Sequence, residues 1–167
     1  MSISESLLPE LDHEMRVTRA LLERVPDDKA AFKPHPRSMS MGQLAAHLPG
    51  LLQWVPRIVS HDELDVTGPD SRTLNIPWES TASTLAAFDH AVAAGRASIA
   101  GANDQVLREP WTLRAGAHTV FTMPRIATLR SMVMNHIIHH RGQLSVYLRL
   151  NDVPLPDMYG PTADSAR

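Results

Sequence analysis

Apolar residues recur along the chain at helical spacing in four stretches. Leu7, Leu8, Leu11, Met15, Thr18, Leu22 and Val25 mark one face of a first helix from about Ser4 to Arg24. Glu5 and Glu10 stand early and Arg24 late, as the helix dipole prefers. Pro9 fits this helix only in its first turn. Leu44, Leu51, Trp54, Val55 and Ile58 line a second helix from Met41 to about Ser60. Its start carries a capping box, Ser40 with Gln43 three residues on. Pro49 and Pro56 fall on the opposite face and are expected to bend or break it. Ser80 or Ser83 caps a third helix to about Ala100, with Leu85, Phe88, Val92 and Ile99 inward. Its alanines and Gly95 allow close approach to neighbours. Ile126, Leu129, Val133, Ile137, Leu144 and Leu148 define a fourth helix, Pro124 to Leu150.

The intervening segments read differently. Residues 26–39, with Pro26, Pro34 and Pro36, form a loop, and His61 to Pro77, with Asp62, Asp65, Gly68, Pro69 and Asp70, forms another. Trp111–Leu113 and His118–Thr122 are short β-prone pieces around Arg114–Ala117, a hairpin-like excursion before the last helix. Prolines stop the last helix, and an extended tail follows. Four helices of this length in one domain, residues 1–167, predict an all-α four-helix bundle.

The helical phase also orients histidines. Turning about 100° per residue from His136, the apolar arc of the last helix centres near +60°. His140 lies inside that arc, His136 at its inner edge and His139 outside it. On the second helix His47 lies within the arc of Leu44, Leu51 and Trp54. His47, His136 and His140 therefore aim at the interior, the last two one turn apart, a spacing that lets two imidazoles reach one ion. A core histidine bonded to a backbone carbonyl is the alternative for each taken alone. Three imidazoles would leave a position for water or substrate, and zinc or nickel would suit them. His13, His61 and His90 are expected at the surface, and His118 lies in the excursion.

Composition narrows the classes. With 43% hydrophobic and 20% charged residues, the 167-residue chain has ordinary globular composition. It has no cysteine, which excludes disulfides, thiolate zinc sites and a cysteine nucleophile, and which suits a reducing cytoplasm. Neither a membrane span nor a signal peptide is expected. A net charge of −2 and the lack of a Lys/Arg run argue against nucleic acid as a partner.

His47, the run His136-Ile-Ile-His-His140-Arg141-Gly142-Gln143-Leu144 and the ending Pro156-Asp-Met-Tyr-Gly-Pro-Thr-Ala-Asp164 together resemble the DinB/YfiT-like superfamily over nearly the whole chain. The resemblance implies an up-down-down-up four-helix bundle, commonly a homodimer, holding a divalent metal on His47, His136 and His140, with His139 not a ligand. It also implies a metal-dependent hydrolase, or a transferase using a low-molecular-weight thiol, acting on small molecules; the alternative is a non-catalytic metal-binding or stress-associated scaffold. Gln43 and Gln143, each one turn from a histidine, are candidates to orient an imidazole, with capping (Gln43) and ordinary polar packing (Gln143) as equal alternatives. Arg141 is expected to point outward, to the surface or a dimer partner, and Gly142 to admit another backbone. Trp54 and Tyr147 are candidates to line a pocket beside the metal, with core packing the better reading of Trp54.

Overall fold

The computed structural model describes residues 1–69, 71 and 75–165; Asp70 of the expected 61–77 loop lies outside them. The chain is mostly helical, with a small three-stranded sheet that a purely α reading does not contain.

Helix α1 (Ile3–Leu22) begins within one residue of its expected start and ends two residues sooner. Ser2 and Glu5 form a reciprocal capping box that satisfies the first free N–H groups. Pro9 sits inside the second turn, not the first. It is tolerated because it and Glu5, whose carbonyl it leaves without a helical donor, both face solvent. Leu7, Leu11, Leu21 and Leu22 are fully buried.

The expected second helix is two. α2 (Met41–Leu52) starts at the Ser40–Gln43 capping box, and α3 (Trp54–Ser60) follows after Gln53. Pro56 has no N–H to give Leu52, so regular bonding cannot cross Gln53. Gln53 instead donates to Gly50, three residues back, and the chain turns slightly and restarts. Pro49 stays within α2, buried. α4 (Thr81–Gly101), capped by Ser80, packs against α1, α2 and α3. Gly95 provides the closest approach, since a Cβ there would lie 3.3 Å from Val55.

After α4 come a short α5 (Asp104–Arg108) and the hairpin of β2 (Pro110–Ala115) and β3 (His118–Pro124). Gly116, with φ of 60°, makes the turn possible. Inside the expected 61–77 loop lies β1 (Glu63–Asp65), parallel to β2. Three residues with one buried apolar side chain, Leu64, carry no readable alternation. Asp65 accepts N–H bonds from Thr67 and Gly116, tying β1 to the hairpin tip; these bonds hold its carboxyl below the usual range. Buried Arg125 clips the other end, bonding the Pro110 and His61 carbonyls and, at 2.6 Å, Asp62.

The last helix is continuous in course but not in type. α6 (Arg125–Thr128) passes into a π-turn (Leu129–Met134) and then α7 (Asn135–Arg149). The wider turn puts the adjacent residues Val133 and Met134 both inside, at 0% and 2% exposure, which 100° steps on a narrow stripe disfavour. α7 packs against both α1 and α2. Among the described residues no helix is long and apolar enough to cross a membrane.

Candidate metal centre

Six of the nine histidines, His13, His35, His61, His90, His118 and His139, are exposed. The other three converge. His47 comes from the middle of α2, and His136 and His140 come from the first two turns of α7. One ring nitrogen from each lies within 4.8 Å of the other two, and ring centroids are 4.6 to 5.5 Å apart. Among the described residues no other group of three His, Asp or Glu side chains gathers this way. His139, whose ring is 5.1 Å from that of His140, stays outside the group and exposed.

Local structure explains the aim. The capping box fixes where α2 begins, so His47 arrives two turns later on its inner face. Pro49 does not disturb this, because α2 runs through it. On α7, the one-turn spacing stacks His136 and His140. The π-turn just before sets their phase and brings the Met132 carbonyl to the His136 ring as a hydrogen-bond acceptor. The His140 Nδ1–H donates to Gln143 Oε1 at 2.8 Å. Of the two expected glutamine partners, Gln143 orients an imidazole, and Gln43 does not. The Gln43 side chain is spent on the cap, accepting from the Ser40 N–H at 2.9 Å.

These contacts protonate one nitrogen and leave the other as a lone-pair donor, the form a metal requires. Burial also favours neutral rings. His47 is pushed down to about 4, by desolvation first and then by His140 and His136. Burial lowers His136, with Met132 partly opposing it, and lowers His140, with Gln143 partly opposing it.

Three neutral imidazoles, two of them held from behind, fit a divalent cation in their donor chemistry. A tetrahedral site with N–metal bonds near 2.0–2.1 Å has nitrogens about 3.4 Å apart. The 4.8 Å spacing needs only small side-chain rotations to close.

The group opens onto two clefts that meet at His47. The larger, about 790 Å³, is bounded by Asp27, Asp28, Lys33, Gln43, Asn75 and Trp78. Trp78 lies flat against the start of α2, where a Cβ on Gly42 would come within 2.7 Å of its ring. The smaller, about 270 Å³, is walled by Leu51, Trp54, Val66, Met132 and His136.

Several expectations are corrected by their neighbours. Trp54 is half-buried and lines the smaller cleft. Tyr147 is buried in the core, edge-on to Phe32, with its hydroxyl donating to the Met39 carbonyl. Arg141 points inward, 1% exposed, paired with Glu14 at 2.7 Å. It also donates to the Glu14 carbonyl and to Thr18, and the Tyr159 hydroxyl donates to Glu14 at 2.8 Å. Gly142 admits no backbone, because nothing lies within 4 Å of where its Cβ would be. The Met132 carbonyl gives no signal in sequence, since any residue would supply it.

No curated protein matches the chain. Its fold is similar to that of a DinB-like protein from Bacillus cereus ATCC 10987, with a TM-score of 0.73 at 20% identity over 95% of this chain and 98% of that one. A DinB-like protein from Bacillus subtilis gives a TM-score of 0.70 at 20% identity, over 93% and 99%. The model of the DinB family matches residues 1–166, and the chain belongs to that family.

Proposed function

We propose that this protein binds one divalent cation, zinc or nickel, on His47, His136 and His140, and uses it as a metal-dependent hydrolase or thiol-dependent transferase acting on small molecules. The convergence of three neutral imidazoles beside two open clefts carries this reading. The helix contacts support an up-down-down-up four-helix bundle, with α1, α2, α4 and α7 as its members. A homodimer in the cytoplasm completes the proposal.

A cation held here would act as a Lewis acid, lowering the pKa of a water or thiol presented to it. The protein's own part is positional. Gln143 and the Met132 carbonyl hold the outer ring protons, so the lone pairs of His140 and His136 face the centre. The larger cleft offers the carboxylates of Asp27 and Asp28 and the ammonium of Lys33 to a polar substrate. Asp27 is already bonded to the Thr81 N–H at 2.7 Å.

The test is turnover by purified protein loaded with zinc or nickel, against thiol–electrophile pairs and ester and amide panels. The reading expects metal-dependent activity that His140→Ala abolishes. Inactivity across all panels with the metal bound would leave a non-catalytic metal-binding protein instead.

A further inference from the structure

We propose that the smaller cleft is a specificity pocket for an apolar group of the substrate, an alkyl or aryl chain attached close to the atom that meets the metal. This rests on the three-histidine reading and goes beyond it by naming what the site selects.

Two of the three imidazoles, His47 and His136, close one end of the cleft. Leu51, Trp54, Val66 and Met132 form most of the wall, Ser71 and Asn75 add two uncharged polar groups, and no charged side chain borders it among the described residues. The larger cleft, on the other side of His47, has three charged side chains. A substrate lying across His47 therefore meets charged groups in one cleft and mainly apolar walls in the other. At about 30 Å³ per water molecule, 270 Å³ holds several waters against apolar walls, and an alkyl chain that replaces them gains their release.

The pocket is built with one firm wall and one adaptable wall. Trp54 is backed by Trp111 at 6.5 Å between centroids, and Trp111, fully buried, by Phe121 at 6.1 Å. That aromatic row backs the Trp54 ring and keeps it from yielding away from the cleft. Opposite it stands Met132, whose unbranched thioether adapts to the shape of a guest. The π-turn presents Met132 one turn before His136, so one continuous helix carries both the wall and the imidazole. Trp54 therefore packs on the core on one side and, half-buried, faces the cleft on the other.

The experiment titrates the full-length chain, loaded with cobalt(II), with straight-chain hydroxamates from acetohydroxamate upward, and reads the visible absorption of the metal. Affinity should rise about fourfold per added methylene, as burial of a CH₂ predicts, and level off once the cleft is full. Val66→Trp, a rim substitution, should flatten that rise, and Trp54→Ala should move the plateau to longer chains. Val120→Trp, at an exposed site on β3, serves as the control and should keep the wild-type slope. Acetohydroxamate binding with no dependence on chain length would overturn the pocket and leave the metal centre standing. Absence of any histidine–cobalt spectrum would overturn the centre and the pocket with it.

Discussion

His140 and Arg141 are neighbours on one helix, yet their surroundings are opposites. Arg141 reaches toward α1, where Glu14, Thr18 and Tyr159 supply an ion pair, hydrogen bonds and a ring 5.0 Å from the guanidinium. Charge and hydrogen-bonding capacity are matched within the chain, so that cluster is closed. His140 reaches toward α2, where it meets His47, and with His136 one turn back on its own helix it forms a set of imidazoles with no carboxylate. Burial there favours neutral rings whose lone pairs face one another, an arrangement without internal benefit. One buried set is complete within the chain, and the other has the donor chemistry of a cation site.

The widest expected gap between the two clusters is in stability. Arg141→Met leaves the Glu14 carboxylate buried without its partner and should cost about 3–5 kcal/mol in urea unfolding. His47→Ala, by contrast, should scarcely change the metal-free protein. If both variants proved equally damaging, the distinction between closed and open sets would fail. Next in size, Gln143→Leu removes the acceptor behind His140 and should weaken zinc binding roughly 10- to 100-fold in a chelator competition, with the fold intact. Unaltered affinity would mean that the 2.8 Å contact does not orient the ring.

The clusters should also differ in pH response. All three imidazoles have lowered pKa values in the folded chain, His47 down to about 4, against about 6.5 unfolded. Between those values the unfolded chain binds more protons, so the stability of the metal-free protein rises with pH and is lost as pH falls from about 6.5 toward 4. The urea midpoint at pH 7.5, 6 and 5 should fall in that order, more shallowly in His47→Ala. A flat series would mean the rings are not desolvated. The smallest effect is expected on the face of α7 that serves neither cluster. Gly142→Ala meets nothing within 4 Å and should stabilise by about 0.5–1 kcal/mol in the same assay.

Much of this was legible from periodicity. A phase of 100° per residue put His47, His136 and His140 inward and His139 outside, as the structure has them. The same arithmetic misplaced Arg141 because it assumes one buried face, whereas α7 packs against both α1 and α2. It also runs straight through the π-turn, since a widened turn leaves no signature beyond three bulky residues in succession, Met132 to Met134. Trp54 shows a further limit. Large aromatic residues on an inner stripe usually join the core, and sequence alone does not reveal that α2, α3 and the π-turn diverge enough to leave a cleft beside it. β1 was hidden by its length, and the Ser2 cap by lying ahead of the apolar stripe that drew attention to α1.

The most direct test is metal content after equilibration with zinc and removal of the excess, measured on the wild type, His47→Ala and His139→Ala together. The account predicts about one ion per chain in the wild type, a four-coordinate site of this kind holding a single cation. It predicts the same in His139→Ala and none retained in His47→Ala. Zinc held equally well without His47, or absent from the folded wild type, would contradict it.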